Sequence, residues 1–221
     1  MRAYAERVRL LVVAKAPHPG RAKTRLAATV GDAVAADLAA AALLDTLRAC
    51  ADAVGADRCV LALADDLAGC AREPDLRHAL VGWTVVPQRG AGFAERLAAA
   101  HVDAGPGPVV QVGMDTPQLT PALLLEVAAG LDEHDAVLGA APDGGWWVLA
   151  LRDPAAAAAL RGVRMSTEST GRDTRRALEA GGSSVAEGPS LTDVDTAADA
   201  DLVVGGCAAG EFGRAWRAVP R

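Results

Sequence analysis

Short apolar runs recur along this chain, and helix-patterned segments separate most of them. Val8 to Ala14, Cys59 to Ala64 and Pro108 to Val112 carry almost no polar side chain. Runs of this length without polar alternation are expected of strands covered on both faces. Between the first two, Gly31 to about Val54 places Val34, Leu38, Ala41, Leu44 and Leu47 at helical spacing. Val81 to Val86 reads as a short strand ending at Pro87. Ala91 to Asp103 reads as a helix with Phe93, Leu97 and Ala100 on one face. Thr120 caps a helix running to Leu131, with Pro121 in its first position. Asp135 to Ala140 and Trp146 to Leu151 are strands on either side of Pro142-Asp-Gly-Gly145. Asp153 to Leu160 and Thr170 to Ala180 are helices, and Asp195 to Val204 is the last helix before a variable tail. This alternation predicts an α/β fold: a mostly parallel central sheet with helices on both faces, in one domain spanning residues 1–221.

Sheets of this kind bind ligands beyond the carboxyl ends of their strands. Three unusual stretches fall there. After the first strand comes Lys15-Ala-Pro-His-Pro-Gly-Arg-Ala-Lys-Thr-Arg-Leu26, with four cations in eleven residues of a chain whose net charge is -6. A basic loop containing Gly20 suits phosphate, because backbone N–H groups and Lys15, Arg21, Lys23 and Arg25 can converge on one anion. Its spacing is neither a P-loop nor G-x-G-x-x-G. After the fourth strand, Gly113-Met-Asp115 offers a close backbone approach and a carboxylate for Mg²⁺ or Mn²⁺ bridging phosphate oxygens. After the fifth, Asp143-Gly144-Gly145 leads into Trp146 and Trp147, which must point to opposite faces of a strand.

Further along, Asp193 and Asp195 precede a helix: Asp193 completes the metal site or contacts the basic loop, Asp195 or Thr196 caps the helix, and both aspartates are metal-ligand candidates. Gln88 and Arg89 follow the third strand, within reach of a base, sugar or phosphate. The hydroxyl-rich run Met165 to Thr170, including Ser166, is an acceptor-binding loop or a cap and linker. Plainer readings stand beside each: a solvated basic turn, an Asp115 that caps a turn, a hairpin with core tryptophans. No histidine cluster has ligand spacing, and His18, between prolines, reads as a turn residue.

Composition excludes several classes. A pI near 5.2 argues against a general nucleic-acid binder. Cys50, Cys59, Cys70 and Cys207 form no C-x-x-C pair or zinc spacing, which predicts a reduced, cytoplasmic chain. Arg2, Glu6, Arg7 and Arg9 precede an apolar run too short for a signal sequence or a membrane span.

Together, Lys15–Leu26, Gly113-Met-Asp-Thr-Pro-Gln-Leu119, Asp143-Gly-Gly-Trp-Trp147 and Asp193-Val-Asp-Thr196 resemble nucleotide-diphospho-sugar-transferase-like proteins of the GT-A fold. The pattern is most similar to the bacterial radical-SAM/selenodomain-associated transferase group, described as glycosyltransferases. It is more distantly similar to phospholactate and molybdenum-cofactor guanylyltransferases. The resemblance implies that Lys15, Lys23 and Arg25 bind nucleotide phosphates and that Asp115 is the principal metal ligand. It also implies that Asp143 to Gly145 and Trp146 border the acceptor or sugar pocket, with Asp193 or Asp195 as a second carboxylate. The chain departs from the common D-x-D pattern at Asp115-Thr-Pro117. The expected partners are a nucleotide or nucleotide-sugar and a small-molecule acceptor. Nucleotidyl transfer to a phosphate or carboxylate is slightly favoured by the basic loop. Glycosyl transfer and non-catalytic nucleotide binding are the alternatives.

Overall fold

The computed structural model describes residues 7–207 and 209–220; Arg2 and Glu6 lie outside them. The elements run β1 (Arg9–Lys15), α1 (Thr24–Val30), α2 (Asp32–Val54), β2 (Cys59–Ala64), α3 (Glu73–Ala79), β3 (Thr84–Pro87), α4 (Phe93–Asp103), β4 (Val109–Val112), α5 (Pro121–Ala129), β5 (Ala136–Ala140) and β6 (Trp146–Leu151). They continue through α6 (Thr170–Ala180), β7 (Val185–Gly188), α7 (Ala197–Val203) and α8 (Glu211–Ala218). The strands form one sheet in the order β3-β2-β1-β4-β6-β5-β7. β6 pairs antiparallel with both β4 and β5, while the other pairings are parallel. The fold is therefore α/β with a mostly parallel sheet, as the alternation predicts.

The pleat explains why the apolar runs are continuous. Leu10 and Val12 of β1 pack with Leu43, Leu44 and Leu47 of α2 on one face. Leu11 and Val13 pack with Leu97 and Ala98 of α4 on the other. Successive side chains point to opposite faces, so both sets must be apolar. A third cluster joins α1, α2, α7 and α8 through Leu26, Leu38, Val203, Phe212 and Trp216.

Three expectations need correction. The strand expected from Val81 begins at Thr84, because Gly82 adopts φ +86 and Trp83 N–H donates to Leu80 O in the turn leaving α3. Asp153–Leu160 is not an α-helix: residues Pro154–Gly162 form 3₁₀ turns, wedged between α4 and α6, where packing overrides alanine's helix preference. The helix after Asp195 starts at Ala197, with Thr196 and Asp199 forming a capping box. It is not the last, since α8 follows and buries Phe212 and Trp216. On the face of α4 that carries Phe93, Leu97 and Ala100, the last two are buried and Phe93 is 51% exposed.

Candidate functional site

Two adjoining cavities open along the carboxyl edge of β1, β2, β3 and β4. The smaller, about 260 Å³, is bounded by Lys15, Arg21, Lys23, Arg25, Asp115 and Asp195. The larger, about 410 Å³, runs across the sheet from Ala64 and Gln88 past Gln111 and Asp115 to Asp143, Trp146 and Ser166. Lys15, Met114 and Asp115 border both.

The centre is Lys23. It sits in the left-handed region (φ 50, ψ 49) just ahead of α1, a conformation that costs a non-glycine residue about 1–2 kcal/mol. Its side chain is 12% exposed and Nζ lies 2.7 Å from both Asp115 Oδ2 and Asp195 Oδ1. Burial alone would lower its pKa; the charges of Asp115 and Asp195 and their hydrogen bonds turn the shift upward. Lys23 is thus firmly cationic. Asp195 also pairs with Arg25. Burial opposes its ionisation, yet Lys23 and Arg25 hold its carboxyl below the usual carboxylate range. Arg25 is 69% exposed, and Arg21 pairs with Asp65 at 3.1 Å.

Asp193 is placed by hydrogen bonds to the backbone of the residues on either side of it. Val194 N–H donates to Asp115 O (2.9 Å), Leu191 N–H to Ala140 O (3.2 Å), and Gln118 Nε2 to Thr192 O (2.7 Å). These bonds run the segment from the end of β5 to the loop after β4. Asp193 Oδ1 is buried with no hydrogen-bond partner. Burial, then the charge of Asp115, pushes its carboxyl up to about 8. An orphaned carboxylate oxygen beside a second carboxylate is what a divalent cation relieves, so Asp115 and Asp193 fit a metal. Among the described residues no set of three or more His, Cys, Asp or Glu converges on one cation position. Two carboxylates completed by phosphate and water oxygens is a common arrangement for Mg²⁺. Gly113 makes room: a Cβ there would lie 2.8 Å from Asp115 Oδ1.

The far wall is built on glycine. Asp143 Oδ1 accepts from Gly145 N–H (2.8 Å) and closes the turn before β6. Gly144 has φ +88, and a Cβ on it would meet Glu168 O at 2.1 Å. Gly171 N–H donates to Gly144 O (2.8 Å), tying this turn to the start of α6. Trp147 is buried and donates to Pro189 O (2.8 Å). Trp146 lines the cavity and donates to Thr174 Oγ1 (3.2 Å). Both indoles border the cavity, and Trp147 also belongs to the core. Ser166 holds φ +59 on the same wall.

Lys15, Lys23, Arg21, Arg25, Gln88, Gly113, Asp115, Asp143, Gly145, Trp146, Ser166, Asp193 and Asp195 all border these two cavities. Gly20 and Gly144 shape the adjoining turns, each with positive φ. Gln88 Nε2 donates to Ala14 O (2.8 Å) and Ala62 O (3.0 Å). Arg89 instead turns to an ion pair with Asp103. His18 Nε2 lies 2.8 Å from Asp66 O, as a turn residue should. Gln111, Thr167, Phe93 and Arg96 also line the larger cavity. Gln111 had no sequence signal, being one polar residue inside an apolar strand. Phe93 and Arg96 were legible only as helix residues.

A family model described as "Uncharacterized protein conserved in bacteria (DUF2064)" matches residues 46–167. The chain belongs to this family. The stretch shared with the DUF2064 family carries Asp115 and Asp143 but not the basic loop. No curated protein matches the chain. Among solved structures, one from Desulfovibrio desulfuricans G20, provisionally described as a nucleotide-diphospho-sugar transferase, is 25% identical. It has a TM-score of 0.81 over 95% of this chain and 94% of that one. A 4-diphosphocytidyl-2C-methyl-D-erythritol synthase from Anaerococcus prevotii DSM 20548 is 12% identical, with TM-score 0.59 over 94% and 98%. A manganese complex of Rv0371c from Mycobacterium tuberculosis H37Rv is 21% identical, with TM-score 0.52 over 89% and 97%. This DUF2064 chain thus has the GT-A-like nucleotide-diphospho-sugar-transferase fold. No helix of its described residues is long and apolar enough to cross a membrane.

Proposed function

We propose that the chain is a transferase that uses a nucleotide-activated donor with Mg²⁺ or Mn²⁺. The observation that carries this reading is the clamp of Lys23 between Asp115 and Asp195 where the two cavities meet. Donor phosphates occupy the smaller cavity, against Lys15, Arg21, Lys23 and Arg25. Asp115 and Asp193 hold the cation, which supplies charge neutralisation at the phosphates when bound. Asp195 orients Lys23 and Arg25. The nucleoside lies toward Gln88, and the acceptor toward Asp143, Gly144, Gly145, Trp146 and Ser166. Rate enhancement comes from positioning and from cations fixed where negative charge develops on the leaving group.

Nucleotidyl transfer, with attack at the α-phosphorus and loss of pyrophosphate, suits a loop of four cations facing a triphosphate. Glycosyl transfer, with loss of a nucleoside diphosphate, is favoured by the description of the 25% identical neighbour. The products separate them: incubation with each nucleoside triphosphate or nucleotide-sugar and Mn²⁺ releases pyrophosphate in the first case and nucleoside diphosphate in the second. Release of neither across the donors and a broad set of acceptors removes the catalytic reading. The reading is of one domain across residues 1–221, acting in the cytoplasm.

A further inference from the structure

Asp115 is shared between the two cavities. It borders both, whereas Lys23 and Asp195 border the smaller and Asp193 the larger. From the smaller side, Lys23 Nζ donates to Asp115 Oδ2 and to Asp195 Oδ1, each at 2.7 Å. On the larger side stands Asp193 Oδ1, buried and without a hydrogen-bond partner. A divalent cation held by Asp115 and Asp193 would lie beside the Lys23 ammonium, and two positive charges on one carboxylate repel each other. Asp115 can therefore serve Lys23 fully or the metal fully, but not both.

The side chain at this position is suited to such an exchange. Of the 22 Lys and Arg residues in the chain, only Lys15 and Lys23 are lysine. A guanidinium pairs edge-on with one carboxylate, as Arg72 does with Asp37. An ammonium is a compact charge that can sit between two carboxylates as a metal ion does. The backbone of Lys23 already holds its left-handed conformation ahead of α1, so the exchange needs only the side chain to move. Asp195 is also paired with Arg25 and does not border the larger cavity, so it can keep Lys23 when Asp115 lets go. We propose, on the donor and metal assignments above, that Lys23 is a built-in stand-in for the divalent cation. When Asp115 and Asp193 take up metal, Lys23 passes from Asp115 to the donor phosphates while Asp195 retains it. Metal and phosphate then bind cooperatively: the metal frees the ammonium that the phosphates need, and the phosphates take the ammonium that the metal displaces.

The scarcity of lysine lets the exchange be watched directly. In wild type labelled with ¹⁵N-lysine, the ammonium of Lys23 should give a slowly exchanging NMR signal, and exposed Lys15 should not. Mg²⁺ should abolish that signal by opening the ammonium to water, and inorganic pyrophosphate added next should restore one at a new position. Mn²⁺ affinity, read from the loss of the free ion's electron-resonance signal, should rise at least about tenfold in Lys23→Met. It should rise less than about threefold in Lys15→Met, which removes the same charge from the border of both cavities without freeing Asp115. Asp193→Asn should weaken Mn²⁺ binding. The NMR test uses wild type alone, so it decides the matter even where Lys23→Met fails to fold. A Lys23 signal unchanged by Mg²⁺ while Mn²⁺ binds the same protein, equal gains in the two methionine variants, or weaker Mn²⁺ binding by Lys23→Met overturns the exchange and leaves the metal assignment standing. No Mn²⁺ binding by wild type or Lys23→Met overturns both.

Discussion

His101 makes the fold acid-sensitive by an amount that the structure sets. It sits in the last turns of α4, fully buried, and neither ring nitrogen has a hydrogen-bond partner. Gln111 faces it from β4 without closing a bond to either nitrogen. Burial pushes its pKa down to about 4 from the ordinary 6.5. The unfolded chain therefore takes up this proton near pH 6.5, and the native state only near pH 4. Stability is intact above about pH 6.5 and falls as pH drops through that window. At ~1.4 kcal/mol per pH unit, the loss from this one group is about 3 kcal/mol. His101→Leu has similar volume and no proton to take up. Urea unfolding of both proteins from pH 7 to pH 4 should show the variant gaining about 3 kcal/mol on wild type as the medium is acidified. At pH 7 the variant should be at least as stable, since two unpaired buried nitrogens are gone. Parallel curves across the window would refute the argument. The consequence reaches the site, because the first turn of α4 carries Phe93 and Arg96 into the larger cavity.

Other substitutions probe other layers. Lys23→Met should cost about 3–5 kcal/mol in metal-free urea unfolding, as expected when one partner of a buried ion pair is removed, with Mn²⁺ restoring part of it; an unchanged midpoint contradicts the clamp. Asp193→Asn should be neutral or stabilising without metal, because it relieves crowding with Asp115, yet should abolish the Mn²⁺-induced rise in melting temperature. Gly144→Ala should destabilise by at least about 1–3 kcal/mol from its φ alone, and by more from the clash with Glu168 O. Trp216→Ala should cost about 3–5 kcal/mol if α8 is integral to the core, and a change under about 1 kcal/mol would mean that it is not.

The strands that were easiest to read are those buried on both faces. Cys59–Ala64 needs apolar side chains at every position, and its observed limits match the apolar run. α6 was equally plain, from Thr170 to Ala180. α1, α3, β7 and α8 were not read, and Arg25, taken as part of the basic loop, lies in the first turn of α1. α3 buries only Leu76, and β7 has no fully buried residue; their order comes from contacts distant in sequence. α8 has only Phe212 and Trp216 as large apolar anchors, and its N-terminal N–H groups are held by Asp45 of α2, 166 and 167 residues away. In the site, Lys15, Asp115 and Asp143 were visible because Lys15 ends a strand and the other two follow one. The pairing of Lys23 with both Asp115 and Asp195 was not, since it joins residues 92 and 172 positions apart. Nor was the direction of Arg89, which a pair with Asp103 decides.

The most direct measurement is thermal unfolding of the wild-type protein with each nucleoside triphosphate and common nucleotide-sugar, with and without Mn²⁺. A ligand that binds only the native state raises the melting temperature by mass action. At least one nucleotide should raise it, with Mn²⁺ deepening the shift, and Lys23→Met and Asp193→Asn should each diminish the response. No shift with any nucleotide, with or without metal, would contradict the assignment of this site to a nucleotide-activated donor.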